Sequence, residues 1–168
     1  MVLAGMFESN GIWFLGQDGQ SPCLIRQDGL LYPSLSIEDR EVLMMVLHAQ
    51  HMQALETPNG NWGTALATPR LGATEVTVIH QRQQPGGFNP LHRQSREEVM
   101  VMLVGEVTVS QGDERVRLGA HDTLIMPAEI LHRVDNTGDV DAEWLIISPA
   151  GMRFFRDTGE EASPPWLK

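Results

Sequence analysis

The sequence predicts an all-β protein, an antiparallel sandwich or barrel, and two observations carry that expectation. From residue 63 onward the chain breaks into short stretches of alternating apolar and polar residues, the period of a half-buried strand. These stretches are joined by connections of two to six residues rich in Gly, Asp and Asn, such as Gln111-Gly112-Asp113 and Asn136-Thr137-Gly138-Asp139. Many short strands at that spacing define a closed or double-layered β architecture.

The 168 residues suit one domain with a modest extension. A chain of this length buries roughly 70 % of its unfolded surface, so neither disulfide nor metal is needed merely to fold. Cys23 is the single cysteine, which rules out an internal disulfide framework and fits a reducing, cytoplasmic compartment. The first residues, MVLAGMFESNGIWFLG, lack the basic and apolar regions of a signal peptide. No apolar run reaches the roughly 18 residues of a transmembrane helix. Net charge is −10, with eleven Arg and one Lys. That balance repels phosphate backbones and anionic lipids, so neither nucleic acid nor membrane is an expected partner.

In chain order, residues 1–35 hold short apolar pieces (GIWFLG, PCLIR, GLLY) set between Gly, Asp, Asn and Pro, read as strands and turns. Residues 36–55, SIEDREVLMMVLHAQHMQAL, read as one amphipathic helix. Ser36 suits an N-cap, Glu38, Asp39 and Glu41 suit the positive end of the dipole, and strong helix formers follow up to Pro58. His48 and His51, at i and i+3, can bind a metal from such a helix, though surface histidines are the commoner reading. The strands expected next are 63–68, 73–83, 91–94, 98–104, 106–110, 114–118, 123–126, 131–135 and 142–147. Three segments follow: an N-terminal extension, 1–62, packing on the barrel; a β-barrel, 63–152; and an irregular arm, 153–168, anchored by Trp166.

The chemistry concentrates in Gly86–Gly105, GGFNPLHRQSREEVMVMLVG. His92, Gln94 and Glu98 share one parity of an extended segment, so their side chains can point into one interior. His132 follows behind Pro127. A buried carboxylate costs several kcal/mol unless paired or coordinated, and Glu98 opens a strand that is apolar on both faces. A metal ion is the simplest reason for it. Met100, Met102, Met126 and Trp144 offer an apolar pocket wall, and Phe88 stands where it can cap the mouth.

Two motifs then resemble those of the cupins. The first, G(X)5HXH(X)3–4E(X)6G, reads here as Gly86, His92, Gln94, Glu98 and Gly105. The second, G(X)5PXG(X)2H(X)3N, reads as His121, Pro127, Glu129, His132 and Asn136. All spacings match; Gln94 replaces a His, and His121 and Glu129 replace glycines. The likeness covers about residues 64–150 and implies a jelly-roll β-barrel of the small single-domain, cupin 2-like type, related to RmlC-like barrels. It also implies one divalent metal ion (Fe, Mn, Zn or Ni) on His92, Gln94, Glu98 and His132. The amide oxygen of Gln94 is a harder, weaker ligand than imidazole. Phosphomannose isomerases, also cupins, place a Gln beside His and Glu on zinc. His121, in a glycine's place, is expected either to take an unusual backbone conformation or to sit in a turn of different shape. His80 and His121 are lesser ligand candidates, and Arg93 is expected to point out of the barrel.

Two functions follow. One is a mononuclear metal enzyme acting on a small organic molecule by dioxygenase, isomerase or decarboxylase chemistry, with Glu98 as ligand and proton acceptor. The other is a non-catalytic small-molecule binding barrel whose metal site has decayed. A homodimer is expected, since the apolar helix and strand offer more surface to bury than one small barrel covers.

Overall fold

Alternation in the sequence becomes two layers of antiparallel strands. The computed structural model describes residues 44–165 and four short strands before them, and the chain divides into two compact units, Met1–Val46 and Leu47–Lys168. In the first unit β1 (Phe7–Glu8), β2 (Gly11–Leu15), β3 (Pro22–Ile25) and β4 (Leu31–Pro33) form an antiparallel meander in sequential order.

The second unit holds twelve strands among the described residues, in two six-stranded sheets. They are β5 (Ala54–Thr57), β6 (Asn61–Ala67), β7 (Val76–Gln83), β8 (Phe88–Gln94), β9 (Glu98–Val104) and β10 (Glu106–Gln111), followed by β11 (Glu114–Gly119), β12 (Thr123–Met126), β13 (His132–Asp135), β14 (Ala142–Pro149), β15 (Phe154–Arg156) and β16 (Glu161–Ala162). One sheet runs β11-β10-β13-β8-β15-β16, the other β12-β9-β14-β7-β6-β5. Consecutive strands repeatedly cross between the two sheets, as in a jelly roll.

Side chains of alternate parity fill the space between the layers. The second sheet carries them in levels set by its register. Gln83 lies opposite Ala142 and Asn61, Gln81 opposite Trp144, Ile79 opposite Ile146, and Thr77 opposite Ser148. Met102 pairs with Trp144 and Met100 with Ile146. The middle levels, with Val107, Val109, Leu118, Met126 and Val134, make the apolar core. One end is polar: Gln83 Nε2 donates to Asn61 Oδ1 at 2.7 Å, and Gln81 Nε2 donates to Asn89 Oδ1 at 2.6 Å.

The motif glycines and their replacements have a backbone explanation. Gly105 has φ +69°, and a Cβ there would lie 2.6 Å from the Asp141 carbonyl oxygen. His121 (φ 74°) and Glu129 (φ 66°) are the two non-glycine residues with positive φ among the described residues. The turns have therefore kept the glycine-type conformation while losing the glycine, the first of the two alternatives for His121.

The helix expected over 36–55 is corrected across its described part. Residues 44–48 carry no regular structure, Ala49–His51 form a single 3-10 turn, and Ala54–Thr57 form β5. Met44, Met45 and Val46 are exposed, Met44 by 91 %. Nothing among the described residues covers the apolar stripe, and a short helix without tertiary packing is marginal in water. Residues 54–57 gain ladder bonds to β6 instead. Residues 36–43 lie outside the described residues, as does Trp166. The tail expected to be irregular adds β15 and β16 to the first sheet. No helix among the described residues is long and apolar enough to cross a membrane.

Candidate metal centre

Strands β8 and β13 place His92 directly opposite His132. Their rings tilt at 51° with centroids 4.4 Å apart. Each imidazole turns Nδ1 back to the carbonyl two residues earlier, His92 to Pro90 at 2.7 Å and His132 to Ile130 at 3.0 Å. A carbonyl can only accept, so Nδ1 carries the proton in both rings and Nε2 keeps its lone pair. Burial holds both imidazoles below the ordinary histidine value. For His92 the fall is to about 4, helped by neighbouring His132 and opposed by the Pro90 bond; for His132 the Ile130 bond opposes burial. Both rings are neutral at pH 7, the form that ligates metals.

Gln94 ends β8 fully buried, and its backbone carbonyl accepts from Glu129 N–H at 2.8 Å, so the positive-φ turn at Glu129 fastens the site strand. Its amide nitrogen lies 3.4 Å from His132 Nε2, while Oε1 has no hydrogen-bond partner. Glu98 opens β9 opposite Met126, buried, with Oε2 unpartnered. Burial pushes its carboxyl up to about 7, opposed by a hydrogen bond from Gln94.

The four expected residues thus come together at one end of the barrel on β8, β9 and β13. Their donor atoms are two imidazole Nε2, one amide oxygen and one carboxylate oxygen, a mixed hard and borderline set that fits a divalent first-row ion in kind. Among the described residues no three His, Cys, Asp or Glu side chains form a metal-holding group by themselves. The fit therefore rests on the buried, unpartnered oxygens of Gln94 and Glu98 rather than on a preformed cage.

The other candidates lie elsewhere. His80 pairs with Glu143, Nε2 to Oε2 at 2.9 Å, on half-exposed surface. His121 is exposed in its turn. His48, before the 3-10 turn, and His51, at its end, are exposed, their rings edge-on at 6.4 Å. Arg93 contacts Glu129 and stacks 4.6 Å over the Phe155 ring. Among the expected pocket residues, Met100, Met102, Met126 and Trp144 are packed in the core, and Phe88 lies half-buried under the Arg133 guanidinium at 4.1 Å.

A cavity of about 150 Å3 lies beside the site, lined by Thr77, Ile79, Ile146, Ser148, Met152 and Phe154 among others. None of these was singled out from the sequence. The signal available was the alternation of β7 and β14, which turns polar Thr77 and Ser148 inward at one level. Their meeting with Phe154 depends on β15 joining β8.

A double-layered β-barrel with a His, Gln, Glu and His cluster at one end is the architecture the two motifs imply. Residues 79–148 match the family model of the cupin domain (Cupin_2), which supports membership of the cupin superfamily. It is 30 % identical over 108 residues to auxin-binding protein 1 of Arabidopsis thaliana, covering 55 % of this chain and 54 % of that protein. The chain thus spans about half the length of the curated relative it matches. Among solved structures it is similar to a recombinant oxalate oxidase in complex with glycolate, with TM-score 0.51, 25 % identity, and coverage of 57 % of this chain and 55 % of that one. The polyketide cyclase RemF from Streptomyces resistomycificus shares the fold, with TM-score 0.58, 17 % identity, and coverage of 66 % and 82 %.

Proposed function

We propose that the barrel binds one divalent metal ion on His92, Gln94, Glu98 and His132 and acts there as an enzyme on a small organic molecule. The observation that carries this is the set of buried donor atoms without protein partners. Gln94 Oε1 and Glu98 Oε2 have none, and both imidazoles are pinned through Nδ1 so that Nε2 carries the lone pair, that of His132 meeting the Gln94 amide nitrogen at 3.4 Å. Leaving a buried acceptor unsatisfied costs about 1–3 kcal/mol, so two at one place favour a cation as their common partner. A bound divalent ion supplies Lewis-acid polarisation of a substrate oxygen, or a site for oxygen chemistry. Dioxygenase, isomerase and decarboxylase reactions all fall within that chemistry, and the similarity to an oxalate oxidase adds weight to the enzymatic reading.

The chain's own residues supply the rest. The backbone carbonyls of Pro90 and Ile130 fix both rings and their tautomers. The core methionines exclude water from the inner side of the site. In the metal-free barrel burial raises the Glu98 carboxyl to about 7, and an ion at Oε2 would displace that proton and hold the ionised form.

A second reading, a small-molecule binding barrel with a degenerate metal site, has one observation in its favour. The Gln94 amide nitrogen, not its oxygen, faces His132 Nε2. Metal titration separates the two. Protein stripped with EDTA and titrated with Mn2+ or Zn2+ by calorimetry takes up one equivalent per chain if the first holds, and Glu98→Ala loses it. No uptake by the wild type overturns the enzyme reading in favour of the second.

We place the protein in the cytoplasm, on the single cysteine, and divide it for function into the barrel unit and a separate N-terminal extension. We also propose a homodimer: Val76, Leu103, Val104 and Ile125 leave apolar side chains exposed on the second sheet. Light scattering at micromolar concentration then gives twice the 18.7 kDa chain mass, and a monomer mass refutes it.

A further inference from the structure

Strand β8, which carries His92 and Gln94, has β13 on one edge and β15 on the other, and the two neighbours are held differently. β13 is paired on its far side with β10. β15 sets Phe154, Phe155 and Arg156 against Gln94, Arg93 and His92, and among the described residues only β16 lies beyond it. The β15–β16 hairpin therefore joins its sheet along one short seam. At the base of that seam Ser95 N–H donates to the Arg153 carbonyl at 2.9 Å, and Arg153 N–H donates to the Ser95 hydroxyl at 3.0 Å. On the outer side the Phe155 ring packs under two guanidiniums, Arg93 at 4.6 Å and Arg153 at 5.2 Å. On the inner side the Phe154 ring lies 6.2 Å from that of His92, tilted by 30°. The chain reaches β15 from β14, in the other sheet, through a crossing that turns at Gly151. Gly151 has φ +76°, and a Cβ there would meet nothing within 4 Å.

We infer that the β15–β16 hairpin is a lid: it swings as a unit about Gly151, and small solutes reach His92 and Gln94 along the β8 edge that it uncovers. With β15 withdrawn, β8 becomes an edge strand, and the flank of His92 and Gln94 that faces Phe154 opens to solvent. Elements held by a short ladder and few buried contacts open at much lower free energy than the domain as a whole. The other approach is closed, since His132 stands on β13 between β8 and β10, and moving it would divide the sheet. The hairpin's own ion pairs travel with it, Arg153 to Glu161 at 3.7 Å and Arg156 to Glu160 at 3.8 Å. Buried Met152 and half-buried Phe154 are its apolar contacts with the interior, so the closed position is the resting one. Two exposed arginine–aromatic stacks at Phe155 form a latch of modest strength. The lid rests on the metal-enzyme reading only for what passes beneath it; hinge, seam and latch are formed without an ion.

Diethyl pyrocarbonate, which acylates accessible neutral imidazole at nitrogen, probes His92 without any bound metal. It is applied to the full chain in EDTA, and modified peptides are read by mass spectrometry with His80, on the outer surface, as the reference. Arg93 and Phe155 are directly opposed across the seam, a spacing that suits a disulfide. Arg93→Cys with Phe155→Cys, in a Cys23→Ser background, therefore locks the lid when oxidised and frees it when reduced and desalted. Oxidation is expected to slow His92 acylation about tenfold or more relative to His80, and the reduced form is expected to react faster than the wild type. Phe155→Ala alone, which removes both stacks, is expected to speed His92 about fivefold. Equal His92 rates in the oxidised and reduced forms overturn the lid. An unchanged rate in Phe155→Ala overturns it as well, since a lid latched on that ring must loosen without it. Because every arm is run in EDTA, failure of the metal titration described above does not alter these outcomes.

Discussion

Replacing Glu98 by Gln isolates one charge-dependent contribution to stability. In the folded barrel burial raises this carboxyl from 4.5 to about 7. Between those values the folded state holds a proton that the unfolded state has released, so stability falls as pH rises through the interval. At about 1.4 kcal/mol per pH unit, ionisation of Glu98 costs the metal-free barrel about 3 kcal/mol by pH 8. His92 works in the opposite sense. Its folded value is about 4 against 6.5 unfolded, so its contribution is full above pH 6.5 and is lost as pH falls toward 4. The two trends offset each other in the wild type between roughly pH 4.5 and 6.5. Glutamine keeps the shape and remains neutral, which leaves the histidine trend alone. Urea denaturation in EDTA at pH 4.5, 6 and 8 is therefore expected to show Glu98→Gln gaining on the wild type by about 3 kcal/mol across the range. A gap that stays constant with pH would show that Glu98 is not held as a buried acid, and the physical case for the site would fail with it.

Four further outcomes follow. Saturating Mn2+ should reverse that order, because the wild type gains RT ln(1 + [L]/Kd) of stability while Glu98→Gln loses a charged ligand; thermal shifts with and without the ion read this directly. Gln94→His should tighten Zn2+ by about tenfold, near 1.4 kcal/mol, in calorimetry, and unchanged affinity would remove residue 94 from the ligand set. His121→Gly should stabilise the fold by about 1 kcal/mol in urea, since φ 74° is relieved. Gly105→Ala should destabilise it by about 2 kcal/mol or more, from its positive φ and the 2.6 Å approach to the Asp141 carbonyl.

The barrel strands were legible because each buries one face and shows the two-residue period along its own length, independent of its neighbours. The motif spacings were legible for a related reason: the turns between β8 and β9 and before β13 set how many residues separate the inward positions. The segment around Met44–Leu47 misled because propensity and apolar content favour a helix only where something covers its face, and covering is not a local property. The positive φ at Glu129 was equally hidden, since a glutamate carries no sign of a glycine-type turn.

What the sequence determined by itself was the β-barrel and the identity of the inward-facing His92, Gln94, Glu98 and His132, because parity along a strand is a local fact. Tertiary structure alone decided which residues meet. The register of β14 against β7 and β9 sets Ser148 between Thr77 and Glu98, and the pairing of β15 with β8 brings Phe154 toward His92. These contacts join strands far apart in the chain, and strand pairing depends on the whole packed barrel.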